Sequence, residues 1–173
     1  PTLSGRAEAN STITLRNGDT LLGTAIADAT GNWTFTPGTA LGEGMVTLNV
    51  AVTDAAGNVS GTTSSSVMID VTPPPAVTAL TAANNNGSTP VNIAASGVTN
   101  DNTPRLSGTA EANSVVTIRD GDTILGSVTA GSNGSWSFVT SVRPDGLHTF
   151  NVAATDAAGN TGPASTPVTV TVD

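Results

Sequence analysis

The sequence predicts an all-β chain, folded as two tandem immunoglobulin-like Greek-key β-sandwiches joined by a short proline-rich linker. Two observations carry that prediction: an internal duplication and a period-two alternation of β-branched residues. The stretch PTLSGRAEANSTITLRNGDTLLG at the start returns as PRLSGTAEANSVVTIRDGDTILG from Pro104. In register, residues 1–36 and 104–139 agree at 20 of 36 positions, with an offset of 103 residues. TDAAGN then recurs at 53–58 and 155–160, one residue closer because the second copy is shortened near Pro144. A period of about 100 residues is too long for solenoid units of about 20 to 50 residues and suits a string of independently folding domains. The expected domains are 1–72 and 73–173.

The segments STITLR, VTLNVAVT, SVVTIR, SWSF, HTFNVAAT and TPVTVTV alternate apolar and polar residues, which is the signature of half-buried strands; no segment holds a helical period. Asn17-Gly18-Asp19 and Asp120-Gly121-Asp122 read as tight hairpins, with Gly31, Gly57, Gly134 and Gly159 in other loops. Seven strands follow for the second unit: A at 76–83, B at 104–110, C at 115–119, D at 123–130, E at 136–140, F at 148–155 and G at 166–172. The first unit begins at strand B, its own strand A missing at the N-terminus. Along strand F, Phe150, Val152 and Ala154 share a face, as do Leu48, Val50 and Val52 in the first copy, and these faces should point inward. Trp33 and Trp136, each two residues before a Phe, are expected between the sheets.

Composition narrows the function. The chain has no cysteine, lysine or tyrosine, and its five basic residues face 13 acids, for a net charge of −8. That balance argues against nucleic acid and against an anionic membrane surface, and makes divalent cations the natural partners. No apolar run is long enough to span a bilayer, no leader pattern is present, and a monomer is expected. With 37% apolar and 3% aromatic residues, each core is small and its stability marginal. An enzyme is not expected: His148 is the only residue among His, Cys, Lys and Tyr, and it aligns with core-facing Val46.

Successive strands run in opposite directions, so the acids sort to two poles. In the second unit the B to C turn with Glu111 and the F to G turn with Asp156 fall beside the incoming linker, Asp70-Val71-Thr72-Pro73-Pro74-Pro75. Asp70, Glu111 and Asp156 are therefore expected to converge as ligands for calcium, which takes about six to eight oxygens; magnesium would suit a site of two carboxylates and waters. At the opposite pole Asp101, Asp120 and Asp122 form a second candidate site. Glu8 and Asp54 repeat Glu111 and Asp156 in the first unit, where Asn17 replaces Asp120 and weakens the lower site. Each acid also has an ordinary reading as a turn residue bonded to its own backbone.

The segments NDNTPRLSGTAEANSVVTIRDGDTILG, GSWSF (GNWTF in the first unit) and ATDAAGN, with the terminal VTVTVD, closely resemble the bacterial immunoglobulin-like repeats of giant adhesins exported by type I secretion. The resemblance covers both units nearly end to end. It implies a filament of such domains at a Gram-negative cell surface, serving attachment to host cells or biofilm cohesion through a distal tip. It also implies calcium at junctions between adjacent repeats, on Asp70, Glu111 and Asp156. The linker DVTPPP departs from the usual DTTPP, and Asn84, Asn85 and Asn86 stand where related loops carry Asp. The leading expectation is a rigid extracellular spacer stiffened by calcium. The alternatives are a glycan- or receptor-binding module of a secreted protein, and an accessory spacer of a secreted hydrolase.

Overall fold

The computed structural model describes residues 1–173 and contains 15 strands and no helix, so no helix could cross a membrane. It divides into two compact units, Pro1–Asp70 and Val71–Asp173.

The second unit is a two-sheet sandwich. One sheet has the order β13-β10-β7-β8 and the other β12-β11-β14-β15-β9. The six strands β7 (Thr78–Asn84), β10 (Arg105–Thr109), β11 (Val115–Asp120), β12 (Thr123–Thr129), β13 (Ser135–Val139) and β14 (Gly146–Thr155), with β15 (Val168–Val172), realise strands A to G. The chain changes sheet between β10 and β11, between β12 and β13 and between β13 and β14, which makes the connections Greek-key. The long connection from A to B, expected as a loop, instead holds two short strands. β8 (Val91–Ile93) extends the first sheet antiparallel to β7, while β9 (Gly97–Thr99) crosses over and pairs parallel to β15. At three residues each, they are too short for alternation to register in the sequence.

The first unit repeats the plan without counterparts of β7 to β9. β1 (Leu3–Arg6) pairs with β4 (Asn32–Phe35), and β2 (Thr12–Asn17), β3 (Thr20–Ile26), β5 (Gly44–Thr53) and β6 (Thr63–Ile69) form the sheet β3-β2-β5-β6. Both hairpins close through two-residue turns, Gly18-Asp19 and Gly121-Asp122, with glycine at φ +56 in the first central position, as type II′ requires.

The core follows the alternation. Leu106, Val116, Ile118, Phe150, Val152, Ala154 and Val170 are fully buried in the second unit, and Trp136 lies between the sheets beside them. Burying each of the larger aliphatic side chains or Phe stabilises by about 1.5–3 kcal/mol. In the first unit Ile13, Leu15, Ala27 and Trp33 form a smaller cluster, and Leu48 is buried. Val50 and Val52 are half-buried, whereas the equivalent Val152 and Ala154 are fully buried.

The Gly-x-Trp-x-Phe step has a steric cause. Gly134 sits at φ +79, and a Cβ there would collide with the carbonyl oxygen of Ala110; Gly31 repeats this against Ala7 at φ +83. Ala7 and Ala110 donate their own N–H to Gly31 and Gly134 (2.8 and 2.9 Å), so turn and strand are tied from both sides. Gly134→Ala is expected to destabilise the second unit by roughly 1–3 kcal/mol, through combined strain and collision, read as a lower thermal midpoint with the first unit's transition unchanged.

Candidate functional site

The repeated hexapeptide TDAAGN closes on itself in both units. Asp54 Oδ1 accepts the N–H groups of Ala56 (2.9 Å) and Asn58 (2.8 Å), while its Oδ2 accepts Asn58 Nδ2 (2.7 Å). Asp156 does the same with Asn160, through N–H to Oδ1 (2.8 Å) and Nδ2 to Oδ2 (2.9 Å). These bonds to the charged form hold both carboxyls below the usual aspartate range, the side-chain amide of Asn58 or Asn160 being the largest cause; partial burial opposes the shift. Asp28 makes a related staple with Thr30 and Asn32 in the first unit, and is held low chiefly by the Thr30 hydroxyl. In the second copy Gly131 replaces Asp28, and Asn133 takes the role by accepting from Ser135 N–H and Oγ.

The upper pole of the second unit gathers the connector and two loops. Pro74 is fully buried, and the backbone of Gly162, which follows the hexapeptide, lies directly against the Pro74 carbonyl. Pro75 and Ala76 share a cleft of about 240 Å³ with Thr109, Ala110 and Glu111. Glu111 is exposed, and its carbonyl accepts the Ser114 hydroxyl (2.7 Å); Glu8 and Ser11 repeat that bond (2.6 Å). Asp70 follows β6 as the last residue of the first unit and is exposed. The chemistry here fits a hard cation. Glu111 offers an oxygen-only ligand on the turn beside Pro75, and Asp156 is held ionised. A carboxylate has about four lone-pair positions, so the staple within the loop still leaves Asp156 room to ligate.

The lower pole does not fit one, and the expected cluster of Asp101, Asp120 and Asp122 is not formed. Asp101 is fully buried; its carboxylate accepts Thr103 N–H (2.9 Å), Thr103 Oγ1 (3.0 Å) and Asn85 N–H, which fastens the end of the A to B connection. Asp120 already faces cationic and donor groups: His148 Nδ1 at 2.6 Å, Thr149 N–H at 3.0 Å and Arg143 Nη1 at 3.8 Å. Asp122 is exposed, and its carbonyl accepts Arg119 Nη1 (3.2 Å); Asp19 does likewise with Arg16 (2.9 Å). Within either unit no three side chains among His, Asp and Glu gather as a metal cluster.

Arg143 was invisible to sequence reasoning, because it reaches Asp120 from a connection 23 residues away. A signal did exist: where the first copy has Asn17 and Val46, the second has Asp120 and His148, and those two side chains touch. His148 is 8% exposed, with Nδ1 against the Asp120 carboxylate and Nε2 against the Pro144 carbonyl (2.8 Å). The ring also stacks on Phe150, with centroids 5.9 Å apart.

A family model described as "Bacterial Ig-like domain" matches residues 1–71 and again 72–173. The chain belongs to the bacterial Ig-like domain family. No curated protein matches the chain. Among solved structures, this pair of bacterial Ig-like domains is similar to the fibronectin(III)-like modules of Clostridium thermocellum CbhA, at 16% identity and a TM-score of 0.53, covering 99% of this chain and 85% of that one. It is also similar to a tetra-tandem repeat in the extending region of a large adhesion protein (24% identity, TM-score 0.40, 99% of this chain, 45% of that one). A third match is a Ca2+-stabilized adhesin of an Antarctic bacterium (23% identity, TM-score 0.45, 99% and 42%). The chain spans under half the length of both adhesin structures and 27% of a biofilm associated protein that it also matches.

Two measurements check this geometry. The lowered carboxyls of Asp54 and Asp156 contribute stability that is complete above the unfolded aspartate value of about 3.9 and lost as pH falls through the lower folded value. The amide signals of Asn58 and Asn160 should therefore titrate with midpoints below that of an unstructured aspartate. In a double-mutant cycle, His148→Val should destabilise the second unit by about 1–3 kcal/mol, because it strips a buried partner from Asp120. Adding Asp120→Asn, which recreates the Asn17/Val46 pair of the first copy, should restore part of the loss, with a coupling of about 0.5–3 kcal/mol.

Proposed function

We propose that this pair of domains is a spacer within a larger bacterial surface adhesin, holding a distal binding region away from the cell for attachment to host cells or for biofilm cohesion. The observation that carries the reading is the connector. Two copies of one sandwich stand in series, and the chain entering the second is a proline run with Pro74 buried in that unit. Proline fixes φ near −65°, so such a joint has few conformations to lose, whereas a flexible linker would shorten the array on average. The resemblance of the repeats to adhesin repeats, and membership of the bacterial Ig-like family, point to a secreted or cell-surface location.

We further propose that calcium stiffens the connection, held by Asp70 together with Glu111 and Asp156. Its chemistry is that of a hard cation that neutralises clustered carboxylates and fixes the segments bearing them. The residues do the rest. Asp156 is kept ionised by Asn160 and Glu111 stands on a turn braced by Ser114, which supports reading these two carboxylates as ligands. Glu8 and Asp54 would serve the same purpose towards a neighbouring repeat on the first unit.

A calorimetric calcium titration of the protein, beside Asp70→Ala and Glu111→Gln, tests the reading. Saturable binding at millimolar calcium or below, with loss of one site in each variant, is expected. Absence of heat in all three proteins would return these acids to the role of turn residues and remove calcium from the proposal.

A further inference from the structure

Asparagine followed by glycine is a chemically labile dipeptide, because the unhindered glycine nitrogen lies within reach of the asparagine amide carbon. The sequence holds it three times, at Asn17-Gly18, Asn86-Gly87 and Asn133-Gly134. The fold treats the three differently. Gly18 N–H donates to the Thr47 carbonyl (3.1 Å), the Gly18 carbonyl accepts Asn49 Nδ2 (3.3 Å), and Asn17 is fixed in the β2 ladders opposite Thr20 and Leu48. Asn133 Oδ1 is held by Ser135 N–H (3.0 Å) and Oγ (2.7 Å), while the buried Gly134 donates its N–H to the Gly131 carbonyl (2.8 Å). In both places the glycine nitrogen is committed as a donor, and turning the amide onto it means opening the turn. Asn86-Gly87 lies in the loop 85–90 between β7 and β8, and both residues are exposed. The backbone N–H of Asn85 is anchored on the Asp101 carboxylate and that of Asn86 on Asn84 Oδ1 (2.9 Å), but neither the Asn86 amide nor Gly87 N–H has a partner.

We infer that Asn86 is a site of spontaneous covalent modification, where the chain converts its own asparagine to isoaspartate and aspartate. The Gly87 nitrogen, once base has taken its proton, bonds to Asn86 Cγ; the bond from Cγ to the amide nitrogen breaks, and that nitrogen leaves as ammonia. Water then opens the resulting succinimide ring. Cleavage between Cγ and the Gly87 nitrogen gives aspartate, cleavage between the Asn86 backbone carbonyl carbon and that nitrogen gives isoaspartate, and nothing is oxidised or reduced. Either product makes the chain one charge more negative than its −8. Isoaspartate also routes the main chain through Cβ and Cγ, which lengthens the loop by a methylene just past the two anchored N–H groups. The added length therefore falls on the β8 side of the loop and spares the Asp101 contact. This inference does not depend on calcium or on the spacer reading.

The test incubates the whole protein at mildly alkaline pH, beside a Gly87→Ala variant, and follows the three asparagines by peptide mapping with mass spectrometry. The variant is expected to fold, because a Cβ at Gly87 meets only the Thr89 carbonyl oxygen at 3.7 Å, an ordinary contact. Asn86 should lose its amide about tenfold or more faster than Asn17 and Asn133, which react only through local opening. Both isoaspartate and aspartate should appear at position 86, Gly87→Ala should slow that site alone, and in urea the three rates should converge. Equal rates in the folded protein would overturn the inference. So would an Asn86 that stays the fastest in urea, since its neighbours in sequence and not the fold would then set the difference. Aspartate without isoaspartate would overturn it as well, because direct hydrolysis needs no glycine nitrogen.

Discussion

Everything in each unit depends on sealing one inward face of a single long strand. With 3% aromatic residues there is little apolar material to spare, and the core of the second unit is assembled on Phe150, Val152 and Ala154, with neighbouring strands each adding one or two aliphatic side chains. Sealing that face needs both sheets complete. In the second unit β7 lays Ala82 over that face, and Phe150, Val152 and Ala154 are sealed.

Polar groups do the work that a richer core would do elsewhere. Carboxylates are spent on closing loops: Asp54 and Asp156 within TDAAGN, Asp101 at the end of the A to B connection, Asp120 between His148 and Thr149. Each accepts backbone N–H groups that the strand ladders leave unpaired. An acidic protein of this kind is therefore not automatically a metal-rich one. Glu111, on a turn beside the connector, is exposed, and a cation could use its carboxylate without dismantling a loop.

How far the sequence was legible follows from the range of each interaction. All seven strands from A to G could be placed to within two residues, because alternation and turn glycines are local, and the burial of Trp33 and Trp136 followed from their position in an alternating strand. β8 and β9 were missed because three residues hold too little pattern, and their pairing is decided by distant partners. The acids were legible as turn residues but not by fate. Nothing near Asp120 in the chain announces Arg143 or His148, and nothing beside Asp101 says that its side chain will be buried. Only the paired replacement of Asn17 and Val46 by Asp120 and His148 hinted that these positions meet.

The crossing of the chain from β7 to β9 has a mechanical side. β9 runs parallel to β15, with Gly97, Val98 and Thr99 opposite Val170, Thr171 and Val172, and Asp173 N–H closes on the Thr99 carbonyl at 3.0 Å. β9 follows β7 and β8 in the chain, and β15 is the last strand of the second unit. Tension applied along the polypeptide, once β7 has yielded, draws these two strands in opposite directions along their common axis. The bonds of a parallel ladder then resist together in shear, where an antiparallel hairpin pulled from its open end would unzip one bond at a time. Within the second unit, that ladder is the pairing such a load meets along its strands rather than across them.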